Sequence, residues 1–230
     1  MFPHFEERLS DSPFVERIWM TESENAGTFT SISTVFWSIV ISKYEGRVSI
    51  SFHGPETGAT RKEFPPGMEW FGIILKLGTY LPAIPPSSLI DGCIVVPGSS
   101  RRTFMLCHSQ WQFPNFEDAD TFVDRLGRAG ILVHEPITDA FHRGRSHSSS
   151  VRTAQYRFLR STGLSRRTVR QIERARYAAA LLKDGVSILD TVHEAGYSDQ
   201  PHLTRSLKHY IGRTPAEIPS SPIVALHAST

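Results

Sequence analysis

The chain has 230 residues, 40% of them apolar and 21% charged, with a formal net charge of +2. That composition excludes a collagen-like, coiled-coil or wholly disordered chain, and the length suffices for one large or two small hydrophobic cores. The near-neutral total conceals two unlike halves: residues 1–140 carry 11 Lys/Arg against 17 Asp/Glu, and residues 141–230 carry 14 against 6. An acidic part joined to a basic one points to a polyanionic partner for the basic end.

The first residues, Met1 to Glu6, lack the basic and apolar regions of a secretory signal. The longest apolar stretch, Val35 to Ile41, is interrupted by Ser38 and is too short to span a bilayer. A cytoplasmic location with no membrane partner is expected. Cys93 and Cys107 form neither a disulfide framework nor a zinc pattern, and read as ordinary buried thiols.

The first part of the chain reads as β. Arg47 to His53 alternates strictly, with Val48, Ile50 and Phe52 on one face, and follows the β-branched and aromatic run Thr34–Ser42 across a turn at Tyr44-Glu45-Gly46. Further strands are expected at Phe29–Ser33, Trp70–Leu75, Ile94–Val96 and Thr103–Leu106. The stretches 54–58, 65–67 and 82–86, rich in Gly and Pro, mark loops between them. Many short strands so punctuated suggest a barrel or sandwich.

Helical periodicity takes over near Asn115. In Glu117–Ala129 the residues Ala119, Phe122, Val123 and Leu126 share one face, with Asp118, Asp120 and Asp124 expected on a solvated one. Pro136 suits the first position of a short helix bearing Ile137 and Phe141. Ser149 or Ser150 can cap a helix with Val151, Ala154 and Phe158 inward, stopping at Gly163. Ser165 precedes a long helix that runs to Lys183, with Val169, Ile172, Ala179 and Leu182 inward. Ser187 with Asp190 forms a capping-box pattern, and Ile188, Val192 and Ala195 complete that helix before Gly196. Ser198 is expected to cap the next, with Leu203, Leu207, Tyr210 and Ile211 inward up to Gly212. Tyr177 and Tyr210 read as core residues. Thr214 to Glu217 opens a last turn, and residues beyond Ser220 read as a frayed tail.

A weak duplication at an offset of 49 residues aligns Gln155-Tyr156-Arg157-Phe158 with Thr204-Arg205-Ser206-Leu207, and Gly163-Leu164-Ser165 with Gly212-Arg213-Thr214. Each copy is a short helix, a break and a second helix with a polar, basic outer face, which is the helix-turn-helix plan. In the second copy Gly196 permits the turn, Tyr197 anchors it, and Leu203 and Leu207 hold the outer helix down. Gln200, Thr204, Arg205 and Lys208 are left outward. Gln suits adenine, Arg suits guanine and Lys suits phosphate. Arg152, Arg157, Arg160, Arg166, Arg167, Arg170, Arg174 and Arg176 add a basic run across the same region.

The run Gly196-Tyr197-Ser198-Asp199-Gln200-Pro201-His202-Leu203-Thr204-Arg205-Ser206-Leu207-Lys208, followed by Gly212, Thr214 and Pro215, resembles the C-terminal DNA-binding domain of the AraC/XylS family of transcription regulators. The resemblance implies an all-α domain over residues 133–218 with two helix-turn-helix units joined by a long helix, for which Ser165–Lys183 fits. It also implies base-reading positions at Arg152, Gln155 and Tyr156 in the first unit, and at Gln200, Pro201, Thr204 and Arg205 in the second. Where the family has a glycine turn in its first unit, this chain has the Ser-rich stretch 146–150.

Residues 1–132 resemble the β-rich, cupin-like sensing domains that precede this module, through Ala26–Thr30, Glu69–Gly72 and Glu117–Asp124. The expected fold class is therefore α+β: residues 1–132 as an effector-binding or dimerisation domain, 133–218 as the DNA-binding domain, and 219–230 as a tail. The expected partners are double-stranded DNA, a small-molecule effector of unstated chemistry and a second copy of the chain.

The chemistry-bearing alternatives are thin. His53 and His108 are candidate metal ligands, but no pair sits at ligand spacing, and no metal or other cofactor is expected. Gly54 and Gly58 do not open a phosphate loop, and no Gly-x-Ser-x-Gly elbow occurs, so the chain does not read as an enzyme. The rival reading is a small-molecule-binding or enzymatic cupin-like protein with a helical appendage.

Overall fold

In the computed structural model, which describes residues 5–144 and 150–218, six strands pair into one antiparallel sheet. In sheet order they are β1 (Phe5–Leu9), β2 (Val15–Glu22), β7 (Glu69–Leu75), β4 (Ser38–Tyr44), β5 (Arg47–His53) and β9 (Cys93–Pro97). β4 and β5 form a hairpin whose turn residues, Glu45 and Gly46, both have positive φ (48° and 73°), as a tight hairpin turn demands.

The register explains the core. Ile18, Ile73, Ile39 and Phe52 stand opposite one another across four strands and are at most 1% exposed. This row is covered by α1 (Ala119–Arg128) through Phe122, Val123 and Leu126, and by the hairpin β10 (Thr103–Leu106) and β11 (Ser109–Gln112) through Phe104 and Trp111. The aspartates of α1 are not a solvated face. Arg8 Nη1 donates to Asp120 at 2.7 Å, Ser10 Oγ donates to the same carboxylate, and Ser12 Oγ donates to Asp124 at 2.8 Å. Burial pushes the Asp120 pKa up, but the bonds from Ser10 and Arg8 outweigh it and leave the carboxyl below its ordinary value.

The described chain divides into two compact units. The first contains residues 5–27, 36–55, 64–144 and 150–165. Besides the sheet it holds β8 (Thr79–Tyr80) paired with β12 (Val133–His134), and the helices α2 (Pro136–His142) and α3 (Val151–Thr162). The second contains residues 28–35, 56–63 and 166–218. It holds α4 (Arg166–Lys183), α5 (Ile188–Glu194) and α6 (Gln200–Tyr210), whose inward residues Ala175, Ala178, Leu182, Val192, Leu203 and Leu207 form one core. It also holds nearly all of a two-stranded ribbon, β3 (Gly27–Ser31) with β6 (Thr60–Phe64).

Several local expectations are corrected. Cys93 and Cys107 are exposed rather than buried: Cys93 lies on an edge strand, and Cys107 sits in the β10–β11 turn at φ 48°. Tyr177 is 52% exposed and is not a core residue, while Tyr210 is half-buried against the helical core. Residues Ser149 and 219–230, named above as a cap and a tail, lie outside the described residues.

Candidate nucleic-acid interface

α6 is built to present one polar face. Its cap is Asp199, not Ser198: the Asp199 backbone is extended, and its carboxylate accepts the His202 N–H at 2.6 Å. That hydrogen bond lowers the Asp199 pKa, with smaller support from Ser198 and Arg205, so the cap stays charged. Leu203 and Leu207 are fully buried, and four-residue spacing then places Gln200, Thr204 and Lys208 along one side with Pro201 and Arg205 beside them. Gln200, Pro201, Arg205 and Lys208 are exposed and Thr204 is half-buried.

The turn before α6 is fixed from three directions. Ser187 caps α5 by accepting the Asp190 N–H at 3.1 Å, as the capping-box pattern requires. Gly196 adopts φ 67°, and the Tyr197 N–H returns to the Val192 carbonyl at 2.8 Å. Tyr197 is 6% exposed; its hydroxyl meets Ser206 Oγ at 2.9 Å, and the Arg174 guanidinium of α4 lies 4.4 Å from its ring centre. Arg174 Nη1 also donates to the Gly196 carbonyl at 3.3 Å. Sequence reasoning placed Arg174 in a general basic run and missed this role.

α3, the corresponding helix of the first copy, belongs to the other unit. Ser150 caps it, accepting the Thr153 N–H at 3.2 Å. Ala154 and Phe158 are buried, and Phe158 meets Phe141 of α2 edge-on at 5.8 Å. Thr138 and Ser161 share a buried hydroxyl bond at 2.7 Å. Arg152, Gln155 and Tyr156 are exposed, so the three residues assigned to the first reading helix do stand outward. Tyr156 also lines a cavity of about 380 Å³ together with Leu159, Arg160 and the proline-rich segment Pro82–Ser87. The duplication survives in the backbone: Gly163 and Gly212 end the two helices at φ 76° and 77°, a conformation that costs glycine least.

The basic run is unequal in use. Arg157 is a structural residue, donating twice to Glu135 at 2.9 and 2.7 Å. Arg176 Nη1 donates to the Ser33 carbonyl at 3.0 Å. Arg152, Arg160, Arg167 and Arg170 remain exposed.

The first unit contains a larger cavity, about 880 Å³, where the apolar face of the sheet runs past its cover. Met20, Phe71, Ile41 and Val48 form one wall, Phe113 and Phe116 another. Glu22, Glu69 and Lys43 stand in the next row of the register, with Lys43 and Glu69 paired at 2.7 Å. His53 hydrogen-bonds Ser51 Oγ at 2.8 Å. Among the described residues no cluster of His, Cys, Asp and Glu is suited to hold a metal ion, and no helix is long and apolar enough to cross a membrane.

A family model described as a helix-turn-helix domain, of the AraC type, matches residues 145–219, about a third of the chain. The match supports an AraC-family DNA-binding domain in this segment, and with it DNA-binding transcription regulation. Comparison with curated proteins and with solved structures returned no match.

Proposed function

We propose that this chain is a sequence-specific transcription regulator of the AraC/XylS type that reads two major-groove segments of double-stranded DNA. The observation that carries the reading is α6: within the matched segment it presents Gln200, Pro201, Thr204, Arg205 and Lys208 over a fully buried Leu203–Leu207 seam. Gln200 and Arg205 supply base-edge hydrogen bonds, Lys208 a phosphate contact, and Thr204 a short polar or methyl contact. Arg152, Gln155 and Tyr156 of α3 act likewise on the second segment, about 34 Å along the duplex.

Functionally, residues 133–218 are the DNA-binding part and residues 1–132 a cupin-like controlling part. The cavity of about 880 Å³ with its aromatic walls supports a small-molecule effector there, and its size suits a ligand of ordinary metabolite or drug dimensions. Dimerisation through the same part is the second mode of control.

The test is selection of duplexes from a random-sequence pool by the full chain, followed by titration of a selected duplex over a salt series. A recurring sequence motif and a log-linear fall of affinity with salt are expected. Recovery of no motif would remove sequence-specific reading from this protein.

A further inference from the structure

The second unit is not made of helices alone. The last four carbonyls of an α-helix have no partner inside it, and they need donors from elsewhere. In α6 two of these are capped by the ribbon: the Ala59 N–H donates to the His209 carbonyl at 2.8 Å, and the Ser33 N–H donates to the Tyr210 carbonyl at 2.8 Å. On α4, Arg176 binds the Ser33 carbonyl at 3.0 Å, so Ser33 joins two helices through its own peptide groups. Ile32, 6% exposed, lies in the core formed by Ala178, Leu182, Leu203 and Leu207. The approach is close. A Cβ built on Gly212 would come within 2.8 Å of Thr30 Cγ2 and 3.1 Å of Ala59 Cβ.

The ribbon is itself held in one shape. Thr34 and Glu56 exchange backbone bonds at 2.9 and 3.0 Å. The buried Glu56 carboxylate receives Ser31 Oγ and the Lys62 ammonium. Two backbone donors on a ribbon braced in this way fix both the height and the rotation of the last turn of α6, where Lys208 stands.

We infer that residues 28–35 and 56–63 are positioning elements of the DNA-reading unit, holding α6 in register so that Gln200, Thr204, Arg205 and Lys208 meet the duplex together. The inference rests on the proposed reading role of α6. It makes the functional DNA-binding module discontinuous in sequence, with segments at residues 28–35 and 56–63 that lie well before the helix-turn-helix match at 145–219.

The test uses the full chain and two substitutions at one position. Ala59→Pro removes the N–H that caps His209, and Ala59→Gly retains it. Arg176→Met removes the bond from α4 to the Ser33 carbonyl, while leaving the ribbon sequence intact. Each protein is titrated with a duplex selected by the unaltered chain and with a scrambled duplex of equal length at the same salt, and amide exchange is followed along α6. For Ala59→Pro and Arg176→Met the expected result is binding to the selected duplex about three- to tenfold weaker, the size of one lost hydrogen bond. Scrambled duplex should be bound within twofold of the unaltered chain, exchange should be faster in the last turn of α6, and Ala59→Gly should restore the selected-duplex affinity. Unchanged affinity for the selected duplex, or an equal loss on both duplexes, would overturn the positioning role. Failure of the unaltered chain to select any duplex would instead overturn the reading role of α6, and the exchange data would then stand as the only measure of the clamp.

Discussion

Arg174 places its guanidinium 4.4 Å from the ring centre of Tyr197 while donating to the carbonyl of the neighbouring Gly196. One side chain on the long helix α4 thereby holds both the anchor and the hinge glycine of the turn that aims α6. A guanidinium over an aromatic face contributes about 0.5–2 kcal/mol according to its exposure. We expect Arg174→Ala to destabilise the second unit by about 1 kcal/mol and Arg174→Lys to recover only part of that loss, since an ammonium keeps the charge but lacks the planar stacking surface. Chemical denaturation of the full chain, monitored by exchange at α5 and α6, measures this. Full retention of stability in Arg174→Lys would show that planarity is irrelevant.

Arg205→Ala should weaken binding to a selected duplex by about 1–3 kcal/mol and relax preference at one base pair. The readout is competition among duplexes varied at single positions. If selected and scrambled duplexes lose affinity equally, Arg205 contacts only phosphate.

Arg157 and Arg152 lie in the same basic run but are expected to behave differently. Arg157 is tied to Glu135, which is itself the cap of α2. The Arg157 side chain is 41% exposed, and after discounting for screening by solvent its removal should cost about 1–2 kcal/mol of stability. The salt slope of DNA binding should be unaltered in Arg157→Ala. In Arg152→Ala stability should be unchanged while affinity for a selected duplex falls by about 1–3 kcal/mol, as for a lost base contact. Denaturation curves and salt titrations of the two variants separate these outcomes.

The first unit should lose stability in mild acid. His134 sits in the β8–β12 pair with its Nδ1 3.0 Å from Thr79 Oγ1. Burial, with the nearby positive charge of Lys76, holds its pKa below the ordinary value of 6.5, against the opposing pull of Asp139 and Glu135. The unfolded chain therefore binds this proton first, so stability falls as pH drops from about 6.5 toward the folded value. Thermal melting between pH 7.5 and 5 should show this decline, and His134→Asn should flatten it. A decline of the same size in the variant would assign it to other groups.

Much of the local structure was readable in the chain. The alternation of Arg47–His53, the Ser187–Asp190 cap, and the left-handed glycines 163, 196 and 212 each depend on neighbours a few residues away, and each stands where the pattern puts it. So does the outward stripe on α6, because Leu203 and Leu207 fix the rotation of the helix once they are buried. Where two local solutions competed, the pattern failed. Ser198 and Asp199 can both cap, and the carboxylate wins as the stronger, charged acceptor for the His202 N–H.

What only the tertiary structure decided has a common cause. Arg8 of β1 and Ser12 of the segment between β1 and β2 find their partners only when the chain returns to them: Asp120 and Asp124, each separated by 112 residues. Arg157, Arg174 and Arg176 look like their neighbours in sequence, and their separate duties follow from which carbonyl, ring or carboxylate the fold brings to each. The ribbon on α6 is the extreme case. Its two ties to the helix use peptide N–H groups, which every residue except proline possesses, so no side-chain pattern at Ser33 or Ala59 could announce them. The sequence by itself determined which helix face is polar and that the basic end has a DNA-binding plan. The division of the chain into units, and the enlistment of two N-terminal segments beside α6, came from long-range backbone pairing that side-chain periodicity does not encode.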